Sequence, residues 1–68
     1  MSAWNAELEA ILFDARWLAK FVERTGPEEK AVTRIQGRAD NVFRFSKGNV
    51  SPALWDKTMS TIDGIRTA

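Results

Sequence analysis

The sequence predicts an all-α fold, a small four-helix domain spanning residues 1–68. Apolar residues recur at three- and four-residue spacing along nearly the whole chain, and glycine or proline falls between those stretches. No segment alternates apolar and polar residues as a half-buried strand would.

The first helix is expected over residues 2–24, with Ser2 as its N-cap and Thr25-Gly26-Pro27 as a stop that no helix crosses comfortably. At roughly 100° per residue, Trp4, Leu8, Ile11, Leu12, Ala15, Leu18, Ala19 and Val22 form one stripe, the natural face for the core. About 180° away lies a second apolar stripe, Ala6, Ala10, Phe13, Trp17 and Phe21. A domain this small has little material to cover both sides of its first helix, so the aromatic stripe is expected to be a homodimer interface. In the alternative reading, the last helix wraps round to cover it through Leu54, Trp55, Met59, Ile62 and Ile65.

The second helix is expected over about 27–35. Pro27 suits a first helical position, Glu28 and Glu29 sit at the positive end of the dipole, and Ala31, Val32 and Ile35 supply a buried face. Gln36-Gly37 reads as a turn. A third helix is expected over about 39–47, with Val42 and Phe45 as core residues and Lys47-Gly48-Asn49 as its stop. The last is expected over about 52–65, capped by Ser51, opened by Pro52 and fraying near Gly64.

Two short helices around a glycine-bearing turn, with cations on and beside the second, have the layout of a helix-turn-helix DNA reader. The stretch Pro27 to Leu54 resembles the phage-repressor (XRE-like) helix-turn-helix family. The resemblance is carried by Glu29, Ala31-Val32, Val42, Arg44, Phe45, Lys47-Gly48 and Ser51-Pro52, and covers about two fifths of the chain. It implies a lambda-repressor-like fold and a sequence-specific, DNA-binding transcriptional regulator, a repressor that reads an inverted repeat as a homodimer. It also suits a regulator carried on a phage or other mobile element.

The family positions imply base contacts from Arg38, Ala39, Asp40, Asn41 and Arg44, with Arg44 the best placed to grip a guanine. Lys30, Arg34, Lys47 and Asn49 are expected at phosphates. Phe43 is left open between a thymine methyl, the underside of the first helix and a partner.

Charge distribution agrees with this assignment. Residues 1–29 hold three cations (Arg16, Lys20, Arg24) against six acids (Glu7, Glu9, Asp14, Glu23, Glu28, Glu29), a balance of −3. Residues 30–47 hold Lys30, Arg34, Arg38, Arg44 and Lys47 against Asp40 alone, a balance of +4. Such a basic patch supplies salt-sensitive affinity for duplex DNA by displacing counterions. The bland reading of the same charges is an ordinary solvated face.

Composition narrows the remaining classes. A chain of 68 residues buries only about 60% of its unfolded surface, and no cysteine is present to staple it. Without histidine or cysteine, the usual zinc sets and the usual general base are missing, so an enzyme is not expected, nor a cofactor or small-molecule ligand. No apolar run approaches the roughly 20 residues of a membrane span, and no signal-peptide order opens the chain, so a cytoplasmic protein is expected. A second functional class keeps the fold without DNA: a protein-binding module that sequesters another regulator through the aromatic face of its first helix.

Overall fold

A computed structural model of the chain describes residues 3–67 and is all-helical, with no strand among them. Three helices stand where four were expected: α1 (Ala3–Thr25), α2 (Glu29–Phe45) and α3 (Pro52–Thr67). Each packs against both others, and the molecule measures 35 × 17 × 16 Å. Its long axis is close to the length of α1, about 34 Å for 23 residues.

The ends of α1 and α3 follow local chemistry. The Thr25 hydroxyl donates to the Phe21 carbonyl at 2.9 Å, and Gly26, at φ 95°, donates its N–H to the Val22 carbonyl at 2.9 Å. That left-handed residue turns the chain out of the helix. Ser51 caps α3 as expected, its hydroxyl accepting from the Leu54 N–H at 3.4 Å, while its own N–H donates to Asn5 Oδ1 at 2.9 Å. Asn5 thereby ties the start of α3 to the first turns of α1. The Ser2 cap lies outside the described residues.

The structure departs from expectation in α2. The helix begins at Glu29, with Glu28 as a cap at φ −128° and ψ 73° that makes no side-chain hydrogen bond, so Pro27 precedes the helix instead of opening it. It then runs unbroken through Gln36 and Gly37 to Phe45. The expected turn is absent, and with it the pair of short helices. The cause is phase: Val32, Ile35, Ala39 and Val42 are all buried and fall on one arc of a continuous helix. One glycine inside a helix costs about 1 kcal/mol relative to alanine. Burying a single Val or Ile side chain returns about 1.5–3 kcal/mol, so the packed face wins. Gln36 also bridges the supposed break, donating to Asp40 Oδ1 at 2.9 Å one turn on.

Beyond Phe45 the chain closes a Schellman motif. The Gly48 N–H donates to the Phe43 carbonyl at 2.9 Å and the Lys47 N–H to the Arg44 carbonyl at 3.1 Å. Lys47 holds φ 56° there, the left-handed region that glycine occupies without strain. Lys47→Gly is therefore expected to raise stability by up to about 1 kcal/mol, read as a higher denaturation midpoint with unchanged helicity.

The core is built from Leu8, Ile11, Ala15 and Val22 of α1, the four α2 residues above, and Ile62 and Ile65 of α3, with Leu18, Ala19, Val50, Leu54, Trp55 and Met59 packed at its edge. Buried Thr58 is satisfied by donating its hydroxyl to the Leu54 carbonyl at 2.8 Å. The apolar side of α3 is thus spent on the core, and α1's second stripe stays uncovered. The last helix also continues through Gly64 to Thr67, past the expected fraying point.

Candidate nucleic-acid interface and aromatic ridge

One straight α2 rearranges the residues assigned to DNA. Four consecutive residues run right round a helix at 100° per step, so Arg38, Ala39, Asp40 and Asn41 cannot face one groove together. Ala39 is 0% exposed, on the core arc between Ile35 and Val42, which corrects its assignment to base contact. Arg38 leans toward α1, where Nη1 meets Asp14 Oδ2 at 2.7 Å. Both side chains are well exposed, so this pair adds only about 0–1 kcal/mol, but it fixes Arg38 on that flank. Asp40 lies on the opposite flank and accepts from Gln36, which also contacts Met59 Sδ at 3.7 Å on α3. Of the five expected base-contact residues, Asn41 and Arg44 share the outward face.

The same face gathers residues that had been separated. Lys30, Arg34, Asn41 and Arg44 are all exposed and fall within about 80° of arc opposite the core stripe. The row is about 21 Å long, and no carboxylate lies in it. Gly37 sits at its middle, and nothing lies within 4 Å of where a Cβ would be. This bare centre was hidden in the sequence by taking the glycine as a turn. Lys47 and Asn49 are exposed in the loop just past the helix.

The three remaining aromatic assignments are settled by packing. Phe45, expected in the core, is 64% exposed, because in a continuous helix it falls a further 60° beyond Val42, outside the buried arc. Phe43 stacks on Trp55 with ring centroids 4.5 Å apart, and its ring tip lies 3.5 Å from where a Cβ on Gly48 would stand. It packs over the α2–α3 loop against α3 and remains 42% exposed. Trp4, expected on the core stripe, is 37% exposed.

On α1 the second stripe is open along its length. Ala6 and Ala10 are exposed, as are Phe13 (60%), Trp17 (60%) and Phe21 (48%). Phe13 and Trp17 meet edge to face at 6.2 Å, and Lys20 Nζ stands 5.8 Å from the Trp17 ring centroid. These contacts hold the rings upright as a ridge and do not bury them. Two shallow grooves follow one edge of the ridge, the edge that carries Lys20: one lies between Trp17, Phe21 and Arg24, the other between Phe13, Arg16 and Thr61 of α3.

Among the described residues no helix is long and apolar enough to cross a membrane, and no group of three His, Cys, Asp or Glu side chains could hold a metal ion. Comparison with protein-family models, curated proteins and solved structures gave no match, so the two exposed faces themselves carry the functional argument.

Proposed function

We propose that the protein is a small DNA-binding regulator that lays the outward face of α2 along a duplex. The observation that carries this is the gathering of Lys30, Arg34, Asn41 and Arg44 on one exposed arc free of carboxylates. A helix about 10–12 Å across fits a major groove about 12 Å wide, so this docking needs no elbow and no preceding helix. Arg44 is the side chain for guanine and Asn41 for adenine, while Lys30, Arg34, Lys47 and Asn49 serve phosphates. Bare Gly37 lets the helix backbone approach the sugar-phosphate rail more closely than a side chain would allow. Repression is the regulatory act that needs least beyond occupancy of a site, and an inverted repeat calls for two copies.

The test is titration of a labelled duplex at several salt concentrations. With Lys30, Arg34, Arg44 and Lys47 at phosphates or bases, the expected slope of log K against log salt is about −3 to −4 per chain. Arg34→Glu/Arg44→Glu, at two exposed positions, is expected to keep the fold, weaken binding by about 100-fold and flatten the slope by about 2. Absence of binding at low salt, or binding untouched by the double reversal, overturns the proposal.

A second reading is favoured by one observation, the 60% exposure of both Phe13 and Trp17. In it the ridge docks on another regulator and sequesters it. Phe13→Glu would then abolish activity while the α2 reversal left it intact.

A further inference from the structure

We infer that the α1 ridge is the interface of an antiparallel, two-fold homodimer, in which the small half of the ridge on one copy receives the large half of the ridge on the other. The ridge is graded along its length: Ala6 and Ala10 occupy the N-terminal part, Trp17 and Phe21 the C-terminal part, and Phe13 the middle. A parallel pairing would set aromatic against aromatic at one end and leave alanine facing alanine at the other. An antiparallel pairing centred near the level of Ala15 places Phe13 opposite Trp17 of the second copy, Ala10 opposite its Phe21, and Ala6 opposite the stem of its Arg24. Every such contact occurs twice, as an isologous interface requires.

Charge selects the same orientation. The charges flanking the first half of α1 are the acids Glu7, Glu9 and Asp14, and those flanking the second half are the cations Arg16, Lys20 and Arg24 with one acid, Glu23. Asp14 is already held by Arg38, and Glu7 lies on that same edge of the ridge, away from the cations, which leaves Glu9 to meet a cation of the second copy. In the register set by the rings, Glu9 falls opposite Lys20 of the second copy on the same edge of the ridge. Parallel chains would bring like charges together instead, at a cost in free energy.

The area is sufficient for a modest dimer. The exposed parts of six aromatic rings amount to about 700 Å², and the alanines with the stems of Arg16, Lys20 and Arg24 bring the total to about 1,000–1,200 Å². That is the low end for a specific interface and points to a dissociation constant on the order of micromolar.

Symmetry adds a consequence. A two-fold axis perpendicular to the paired α1 helices keeps each copy's α2 on the same side of the dimer, so both basic faces turn toward one surface. The self-association stands on α1 alone, and only this last consequence rests on the DNA reading.

The experiment is sedimentation equilibrium of the full chain without DNA, at protein concentrations from about 0.1 to 100 µM, spanning the expected constant. Wild type is expected to pass from monomer to dimer over that range. Trp17→Glu, whose site is exposed, is expected to stay monomeric with the circular dichroism spectrum and melting curve of a folded chain. Glu9→Lys and Lys20→Glu are each expected to weaken the dimer about tenfold, and the double exchange to restore it. Because the chain has no cysteine, orientation is read from engineered ones: Ala10→Cys mixed with Phe21→Cys is expected to cross-link under oxidation, and neither variant with itself. A monomer at the highest concentration, a Trp17→Glu variant that dimerises like wild type, or self-cross-linking of each single variant overturns the inference. Failure to bind DNA leaves all these readouts in place and sinks only the reading of α2.

Discussion

Ala39→Arg is expected to unfold the protein or lower its melting midpoint drastically. The residue has no exposed surface and lies in the core cluster with Ile35 and Val42. Overfilling a packed site costs about 1–3 kcal/mol, and taking an unpaired charge out of water adds several more. A domain of 68 residues has roughly 3–10 kcal/mol in total to lose. The informative control is Asn41→Arg, two positions on and facing outward, which is expected to keep the fold and, by exchanging a base reader for a cation, to steepen the salt dependence of DNA binding while adenine preference is lost. If Ala39 instead faced solvent at the head of a separate reading helix, Ala39→Arg would fold normally and bind DNA more tightly. Circular dichroism and the duplex titration distinguish the two cases.

Gly37→Pro carries the second large effect. In a continuous helix the proline ring removes the N–H that reaches the Thr33 carbonyl and collides with that carbonyl, at a cost of about 3 kcal/mol or more. The penalty comes at the centre of the element that presents both the core arc and the basic row, so the expected outcome is loss of cooperative unfolding together with loss of DNA binding. At a turn between two helices the same proline would be accommodated. A Gly37→Pro variant with a native-like melt would therefore be incompatible with α2 as described.

How much of this was legible from residues alone depended on whether the signal was local. Thr25-Gly26-Pro27 and Ser51-Pro52 specify their own hydrogen bonds, so the end of α1 and the start of α3 follow from them. The two-sided character of α1 is a matter of period, and the buried Leu8, Ile11, Leu12, Ala15 and Val22 match the stripe assigned to the core. Gln36-Gly37 misled because a glycine after an aliphatic run is also how a helix stops. The decisive signal was present but subtler: Val32, Ile35, Ala39 and Val42 hold one phase across the glycine, which two helices at an angle would have no reason to do.

The interface assignments separate along the same line. Lys30, Arg34, Asn41 and Arg44 are exposed because polar residues opposite an apolar arc reach solvent whichever way the turn is read, and Lys47 and Asn49 are exposed in the loop that follows. Ala39 was misplaced because its direction depends on that turn. The Arg38–Asp14 pair joins residues 24 apart in sequence, and the stacking of Phe43 on Trp55 joins residues on different helices. Such contacts are fixed by how helices meet, and no spacing along the chain announces them.

The claim on which the basic face depends is that α2 is one uninterrupted helix with open space beside Gly37. The most direct measurement is the melting midpoint of Gly37→Ala. Nothing lies within 4 Å of the added Cβ, and alanine loses less backbone freedom on folding than glycine, so a gain of about 0.5–1 kcal/mol is predicted. That is a rise of roughly 2–8 °C for a domain of this size. A fall in the midpoint would mean that Gly37 holds a backbone conformation alanine cannot adopt, and would contradict the account.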